Sequence, residues 1–260
     1  MEDRDWELFI KKVKDMTAID LHQYKENQMK RRLTTLRQKR GFDSFVSFFD
    51  AMMRERELFY EFLDRMTINV SEFWRNANRW EVLMSRFIPE LLAENKRLKC
   101  WSAACSTGEE PYTLSMILNE LNILSATNLL ATDIDDGAIE KARRGIYVDS
   151  ALREVPKNLI PKYFNKQGIM FHVSEQLKQA VRFQKQNLLI DAFEYNFDLI
   201  ICRNVIIYFT EEAKHNLYHK FAKALRPGGL LFIGSTEQIF NPSQYNLEAA
   251  DTFFYRKLRK

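Results

Sequence analysis

Lys99-Cys100-Trp101-Ser102-Ala103-Ala104-Cys105-Ser106-Thr107-Gly108-Glu109-Glu110-Pro111-Tyr112 holds the turn on which the reading of this chain depends. An apolar run, LKCWSAA, gives way to small polar residues and a glycine, then to EEPYTLSMILNEL, which predicts a helix. Gly108 permits a sharp turn, and the small residues beside it let a ligand approach the backbone. Pro111 suits a first helical turn, where its missing N–H costs nothing. Outward from this turn the same rhythm repeats. NLLATDI, VRFQKQN, FDLIICRN and LLFIGST read as strands, DDGAIEKARRG and EEAKHNLYHKFAKAL as helices. Strands alternating with helices predict a mostly parallel sheet covered on both faces, an α/β fold. Leu225-Arg226-Pro227-Gly228-Gly229 ends a helix and feeds the fifth strand, and NLEAADTFFYRKL suits a terminal strand.

In such a sheet the ligand sits beyond the carboxyl ends of the strands. The loop after the first strand is not the GxGxxG of a nicotinamide-binding protein. Two glutamates at a helix N-terminus repel phosphate and suit a cation. S-adenosylmethionine carries an ammonium and a sulfonium and no phosphate, so the loop favours that ligand. Glu110 keeps a second reading, because Thr107-x-x-Glu110 is also a capping box. Asp133, at the tip of the second strand, is placed to accept both ribose hydroxyls. Asp135 or Asp136 reads as the N-cap of the next helix. Asn187-Leu188 follows the third strand, as an adenine-recognising pair or as a simple turn. The fourth strand runs into Cys202-Arg203-Asn204-Val205-Ile206-Ile207-Tyr208-Phe209, where Arg203 calls for an acidic partner or a ligand carboxylate. Asn69-Val70-Ser71-Glu72-Phe73-Trp74-Arg75 reads as a packed hinge, or as a lid that brings Asn69, Ser71 and Arg75 over the cofactor. His215 and His219 stand one helical turn apart without a third ligand, so a solvated face is preferred to a metal site. No GxSxG or Cys/His arrangement supports a nucleophile.

Residues 1–65 show helical periodicity (Met29, Leu33, Leu36; Phe45, Phe48, Phe49, Met52) and no strand alternation, which predicts a small all-helical domain. A linker over 66–76 and a sheet domain over 77–260 follow. From about Gly145 to Val181 two prolines, Tyr163-Phe164 and GIMFHV interrupt the rhythm and read as an insertion. Lys25, Lys30, Arg31, Arg32, Arg37, Lys39 and Arg40 face only Glu26 within one segment, a local +6 in a chain of net charge +4. One basic surface on a balanced protein points to one acidic partner. Cys100, Cys105 and Cys202 form no CxxC and read as reduced cytoplasmic thiols. The charged start lacks a signal-peptide core, and no apolar run reaches the ~20 residues of a membrane helix.

These pieces together resemble the chemotaxis receptor methyltransferase family, CheR. NVSEFWR, WSAACSTGEEPYT, ATDID, EKARRGIY, VRFQKQNLL and FDLIICRNVIIYF occur in the family's order over nearly the whole chain. The resemblance implies a Rossmann-like class I methyltransferase sheet with a small inserted β-subdomain, and protein-glutamate O-methyltransferase activity. The cofactor would be S-adenosyl-L-methionine and the product S-adenosyl-L-homocysteine. Asn69, Ser71, Arg75, Glu110, Asp133, Asn187, Leu188, Arg203 and Asn204 would line the cofactor site, with Arg75 and Tyr208 nearest the transferred methyl. The basic segment, in which Lys25, Arg32 and Lys39 share one helical stripe, would face the cytoplasmic methylation helices of chemoreceptors. The protein would be cytoplasmic, recruited to membrane receptor arrays through the receptor. The stretch Tyr163–Ile169 is short for members that tether to a receptor's C-terminal peptide, so no high-affinity tether is expected. A nucleic-acid methyltransferase would need a DPPY-type motif after the fourth strand, and RNA binding would need aromatics among the basic residues. A non-catalytic cofactor-sensing adaptor is the remaining rival.

Overall fold

A computed structural model describes residues 2–67 and 71–259, and the chain divides into two compact units. The first comprises Met1–Asn69 and Val205–Leu217, the second Val70–Asn204 and Tyr218–Lys260. Among the described residues no helix is long and apolar enough to cross a membrane.

The first unit contains the helices Glu2–Thr17, Glu26–Lys39, Phe45–Met52 and Arg56–Thr67. Their apolar stripes meet in an aromatic core, where the Phe9 ring lies 5.2 Å from Phe45 and 6.2 Å from both Phe48 and Phe62. Met29, Leu33, Leu36 and Met52 are buried with them, as the helical spacing predicts. Ser44 and Ser47 form a reciprocal capping box, and Asp5 accepts from the Phe45 and Val46 amides, so the third helix is capped twice. Val205–Leu217 belongs to this unit through strand-like contacts. The Lys25 amide donates to the Tyr208 carbonyl at 2.9 Å, the Thr210 amide to that of Gln23 at 2.9 Å, and the Tyr24 and Phe209 rings meet at 5.2 Å.

Among the described residues the second unit is built on ten strands: β1 Lys99–Ala103, β2 Asn128–Asp133, β3 Ile146–Val148, β4 Phe164–Gln167, β5 Met170–Val173, β6 Val181–Lys185, β7 Phe197–Cys202, β8 Leu225–Ile233, β9 Leu247–Asp251 and β10 Phe254–Lys257. Seven form one sheet in the order β6-β2-β1-β7-β8-β10-β9. The first five run parallel, β10 runs antiparallel to β8, and β9 runs antiparallel to β10. Strand order reverses between β1 and β7, the place where such sheets open a crevice for ligands. β1 and β7 are buried almost throughout, as parallel strands covered on both faces must be. The expected terminal strand is in fact a hairpin. Thr252-Phe253, with φ +70° at Phe253, reverses the chain inside NLEAADTFFYRKL, and an apolar run alone cannot signal such a turn.

The insertion forms its own antiparallel sheet, β3-β5-β4. Gly168-Ile169 alone connects β4 to β5, with φ +60° at the glycine.

Candidate active site

The turn after β1 is held in a conformation that side chains resist. Ala104, Ser106 and Gly108 all have positive φ (61°, 49° and 97°), and Trp74, Asn76 and Asn204 do too. Backbone strain of this kind, at about 1–3 kcal/mol per residue, persists where the surroundings over-determine it, and it collects at functional sites. Here the surroundings are explicit. The Cys105 amide donates to the Thr132 carbonyl at 2.9 Å and the Ser106 amide to Asp133 Oδ2 at 2.8 Å. Gly108 is the N-cap of helix Glu109–Glu120, and a Cβ there would meet Ala142 Cβ at 2.8 Å and the Tyr147 hydroxyl at 3.0 Å. Gly108→Ala therefore combines a strained φ with a collision. It is expected to cost about 1–3 kcal/mol, at about 2–4 °C of melting temperature per kcal/mol. Thermal unfolding of the purified variant measures it.

Buried acids surround this turn. Glu109 accepts from the Thr107 hydroxyl at 2.7 Å and from Ser71, yet its burial still holds its pKa above the usual carboxylate range. Glu110 accepts from the Ser102 hydroxyl at 2.8 Å and lies 3.7 Å from Arg203 Nη1. Burial pushes it up to about 7, against the pull of Arg203 and Ser102, with the charge of Glu237 adding to the rise. The helix start carries no side-chain cap, so the capping-box reading of Glu110 falls. Asp133 is raised to about 6 by burial, although the Asp135 and Ser106 amides favour its charged form. Asp135 is the N-cap, accepting from the Gly137 and Ala138 amides. The buried thiols of Cys105 and Cys202 both feel Glu110 and Asp133 and are driven well above their ordinary pKa, chiefly by burial.

Arg203 faces Glu110. Its Nη2 donates to the Arg75 carbonyl at 2.8 Å and to Asn76 Oδ1 at 2.7 Å, and its guanidinium lies 4.8 Å from the Phe232 ring centre and 5.5 Å from that of Trp80. The Arg75 carbonyl also accepts from Trp80 Nε1 at 3.1 Å. Of the two residue-level readings, Arg203 thus has an acidic partner, and it also fixes the linker at Arg75–Asn76. Its Nε is buried without a hydrogen-bond partner among the described residues.

The other expected residues divide. Ser71 joins the group through Glu109, while Asn69 lies outside the described residues. Asn187 Oδ1 accepts from the Leu189 amide at 3.0 Å, the mark of a turn residue, and the Leu188 carbonyl accepts from Lys220 Nζ at 2.6 Å. Tyr208 falls in the first unit, its ring 4.9 Å from the Arg32 guanidinium. In the basic segment Lys25, Arg31 and Lys39 are exposed, Lys30 pairs with Asp3 at 2.8 Å and Arg40 pairs with Glu61. Arg37 corrects the expectation of a presented cation. It is 7% exposed, donates to the Asp43 carbonyl and lies 4.9 Å from the Phe45 ring centre, so it serves the core. Sequence reasoning missed Glu237, whose buried carboxylate meets the Asn204 amide at 2.8 Å. No spacing rule connects a residue in the loop after β8 to the tip of β7.

A cationic ligand suits this place, since burial disfavours the charge of Glu109, Glu110 and Asp133 and a neighbouring cation would favour it, and an acceptor on that ligand would meet Arg203. A sulfonium amino acid meets both conditions, so the residues present fit S-adenosylmethionine.

Comparison with known proteins agrees. Residues 4–67 match the all-alpha domain of CheR methyltransferases and residues 69–254 their SAM binding domain. The chain is 41% identical to a chemotaxis protein methyltransferase of Listeria innocua, over 98% of each chain. It is 35% identical to one of Borreliella burgdorferi (95% of this chain, 92% of the relative). It is 32% identical to chemotaxis protein methyltransferase 1 of Pseudomonas aeruginosa (94% and 93%). The chain belongs to the CheR methyltransferase family, with its SAM binding domain carried on this sheet.

Proposed function

We propose that this protein transfers a methyl group from S-adenosylmethionine to glutamate side chains on the cytoplasmic helices of chemoreceptors, forming methyl esters, with S-adenosylhomocysteine as product. The observation that carries the reading is the cluster of buried acids Glu109, Glu110 and Asp133 at the β1 and β2 tips, with Arg203 3.7 Å from Glu110. When bound, the cofactor supplies an electrophilic methyl on a positively charged sulfur. Glu110 is assigned its ammonium, Asp133 the ribose, and Asn187-Leu188 the adenine edge. Arg203 and Asn204 shape the amino-acid end, with Ser71 beside Glu109.

The reaction asks little acid–base chemistry of the chain. A receptor glutamate, with a reference pKa of about 4.3, is already a carboxylate at neutral pH, and catalysis reduces to alignment and the exclusion of water. Arg75 orients the incoming carboxylate. A nucleic-acid substrate is disfavoured by Arg203-Asn204-Val205-Ile206 where a base-gripping motif would stand. Purified receptor signalling domain, DNA and RNA offered with labelled cofactor separate the readings: label in the receptor alone is expected, and label in either nucleic acid would overturn this one.

The exposed Lys25, Arg31 and Lys39 are assigned to the acidic methylation helices. Steering of this kind is screened by salt. Between about 0.01 and 0.5 M salt, kcat/KM for receptor is expected to fall about tenfold or more, while S-adenosylhomocysteine affinity changes little. Lys25→Glu with Lys39→Glu should flatten that dependence. The two-residue β4–β5 turn supports the absence of a high-affinity peptide tether, and a low-micromolar complex with a receptor C-terminal peptide would contradict it.

A further inference from the structure

We infer that Glu237 is a positioning residue for the cofactor site, clasping the tips of β7 and β8 so that Arg203 and Asn204 stand where the cofactor's amino-acid end needs them. The inference rests on the cofactor reading above and adds a residue to it.

The geometry is local. The parallel ladder between β7 and β8 runs to its last rung at Cys202↔Ile233. Immediately beyond it the two strands need new acceptors. The Asn204 amide donates to Glu237 Oε2 at 2.8 Å, and the Gly234 amide donates to the same oxygen at 2.8 Å. One carboxylate oxygen thus serves both strands after the ladder ends. The turn is closed by the Glu237 amide donating to the Gly234 carbonyl at 3.1 Å. There is no slack in it: a Cβ on Gly234 would meet Glu237 Oε2 at 2.5 Å and the Asn204 nitrogen at 2.8 Å. Glu237 is 4% exposed, and Asn204 is held at φ +62°, a conformation that costs energy unless something fixes it.

An uncharged acceptor would satisfy two amides. A carboxylate makes both bonds charge-assisted and stronger, but its charge opposes that of Glu110. Keeping two buried acids in mutual opposition is tolerable where a cationic ligand joins them. Glu237 acts on that ligand through the strand tips, not by contact.

The test separates the clasp from the charge. Glu237→Gln retains an acceptor oxygen and loses the charge, Glu237→Ala loses both, and Glu237→Asp, one methylene shorter, is the variant to use if the alanine form does not fold. In the cofactor-free protein, hydrogen exchange of the Asn204 and Gly234 amides is expected to quicken about tenfold or more in the Ala or Asp variant, and to stay near wild type in the Gln variant. S-adenosylhomocysteine affinity by calorimetry should fall about tenfold or more with Ala or Asp and be recovered to within about threefold by Gln, with KM for the cofactor rising more than kcat falls. Unchanged exchange and affinity in Glu237→Ala or Glu237→Asp would overturn the inference, as would equal impairment in Glu237→Gln. A wild-type protein that fails to bind S-adenosylhomocysteine would instead overturn the cofactor reading, because exchange at the two amides is measured without ligand.

Discussion

Glu110→Gln is expected to lose about 30-fold or more in S-adenosylmethionine affinity while making the cofactor-free protein more stable above neutral pH. Removing one partner of a buried charged pair costs about 2 kcal/mol or more, which sets the fold-change. The stability effect follows from linkage. Glu110 titrates near 7 in the folded chain because burial disfavours its charge, against about 4.3 when unfolded. Between those values the folded state binds the extra proton, so this group's contribution to stability declines as pH rises through the window. At pH 5 the wild type already carries a neutral side chain there, and the variant should match it. At pH 8 the wild type bears a buried charge that the variant lacks, and the variant should melt higher. Cofactor affinity of the wild type should fall as pH drops below about 7, since the cation selects the ionised acid, and that step should be missing from the variant. Calorimetry and thermal unfolding at several pH values check all three. A variant that binds cofactor normally would remove Glu110 from the site.

Arg75→Ala carries the second large expected effect, a loss of about 100-fold in kcat/KM toward receptor, the scale on which substrate misplacement acts. The fold should survive, because the linker is held there through the Arg75 carbonyl, which accepts from Arg203 and Trp80 whatever the side chain. Arg75→Lys should recover only part of the rate, since a single ammonium cannot hold a carboxylate with two parallel bonds. Near-normal turnover with unchanged receptor affinity in Arg75→Ala would remove the orienting role.

Most of the fold was legible because its signals are local. Apolar runs at strand length alternating with helical segments led directly to the parallel core, and Met29, Leu33 and Leu36 spelled out a buried helical face. The β9–β10 hairpin was not legible, because its turn rests on a phenylalanine at positive φ instead of a glycine or proline signal. At the site, Glu110 and Arg203 could be found from their places after strands. Setting aside the capping reading of Glu110 needed its distances to Ser102 and Arg203, which no spacing encodes. Arg37 shows the converse limit. Charge counting placed it on a surface, but its long side chain turns under Phe45 and spends its donor on a loop carbonyl. Glu237 lies 33 residues from the amide it holds, so only the folded chain reveals it.

The most direct test of the proposed activity is the bond that it forms. Receptor signalling domain is incubated with the protein and methyl-labelled S-adenosylmethionine, then treated with alkali, and volatile label is collected as methanol. Glutamyl methyl esters release methanol under these conditions, so nearly all receptor-bound label should become volatile, with incorporation by the Glu110→Gln protein at limiting cofactor slowed about 30-fold or more. Label that stays on the receptor through alkali, or a receptor that takes up none, would contradict glutamate methylation as the function of this chain.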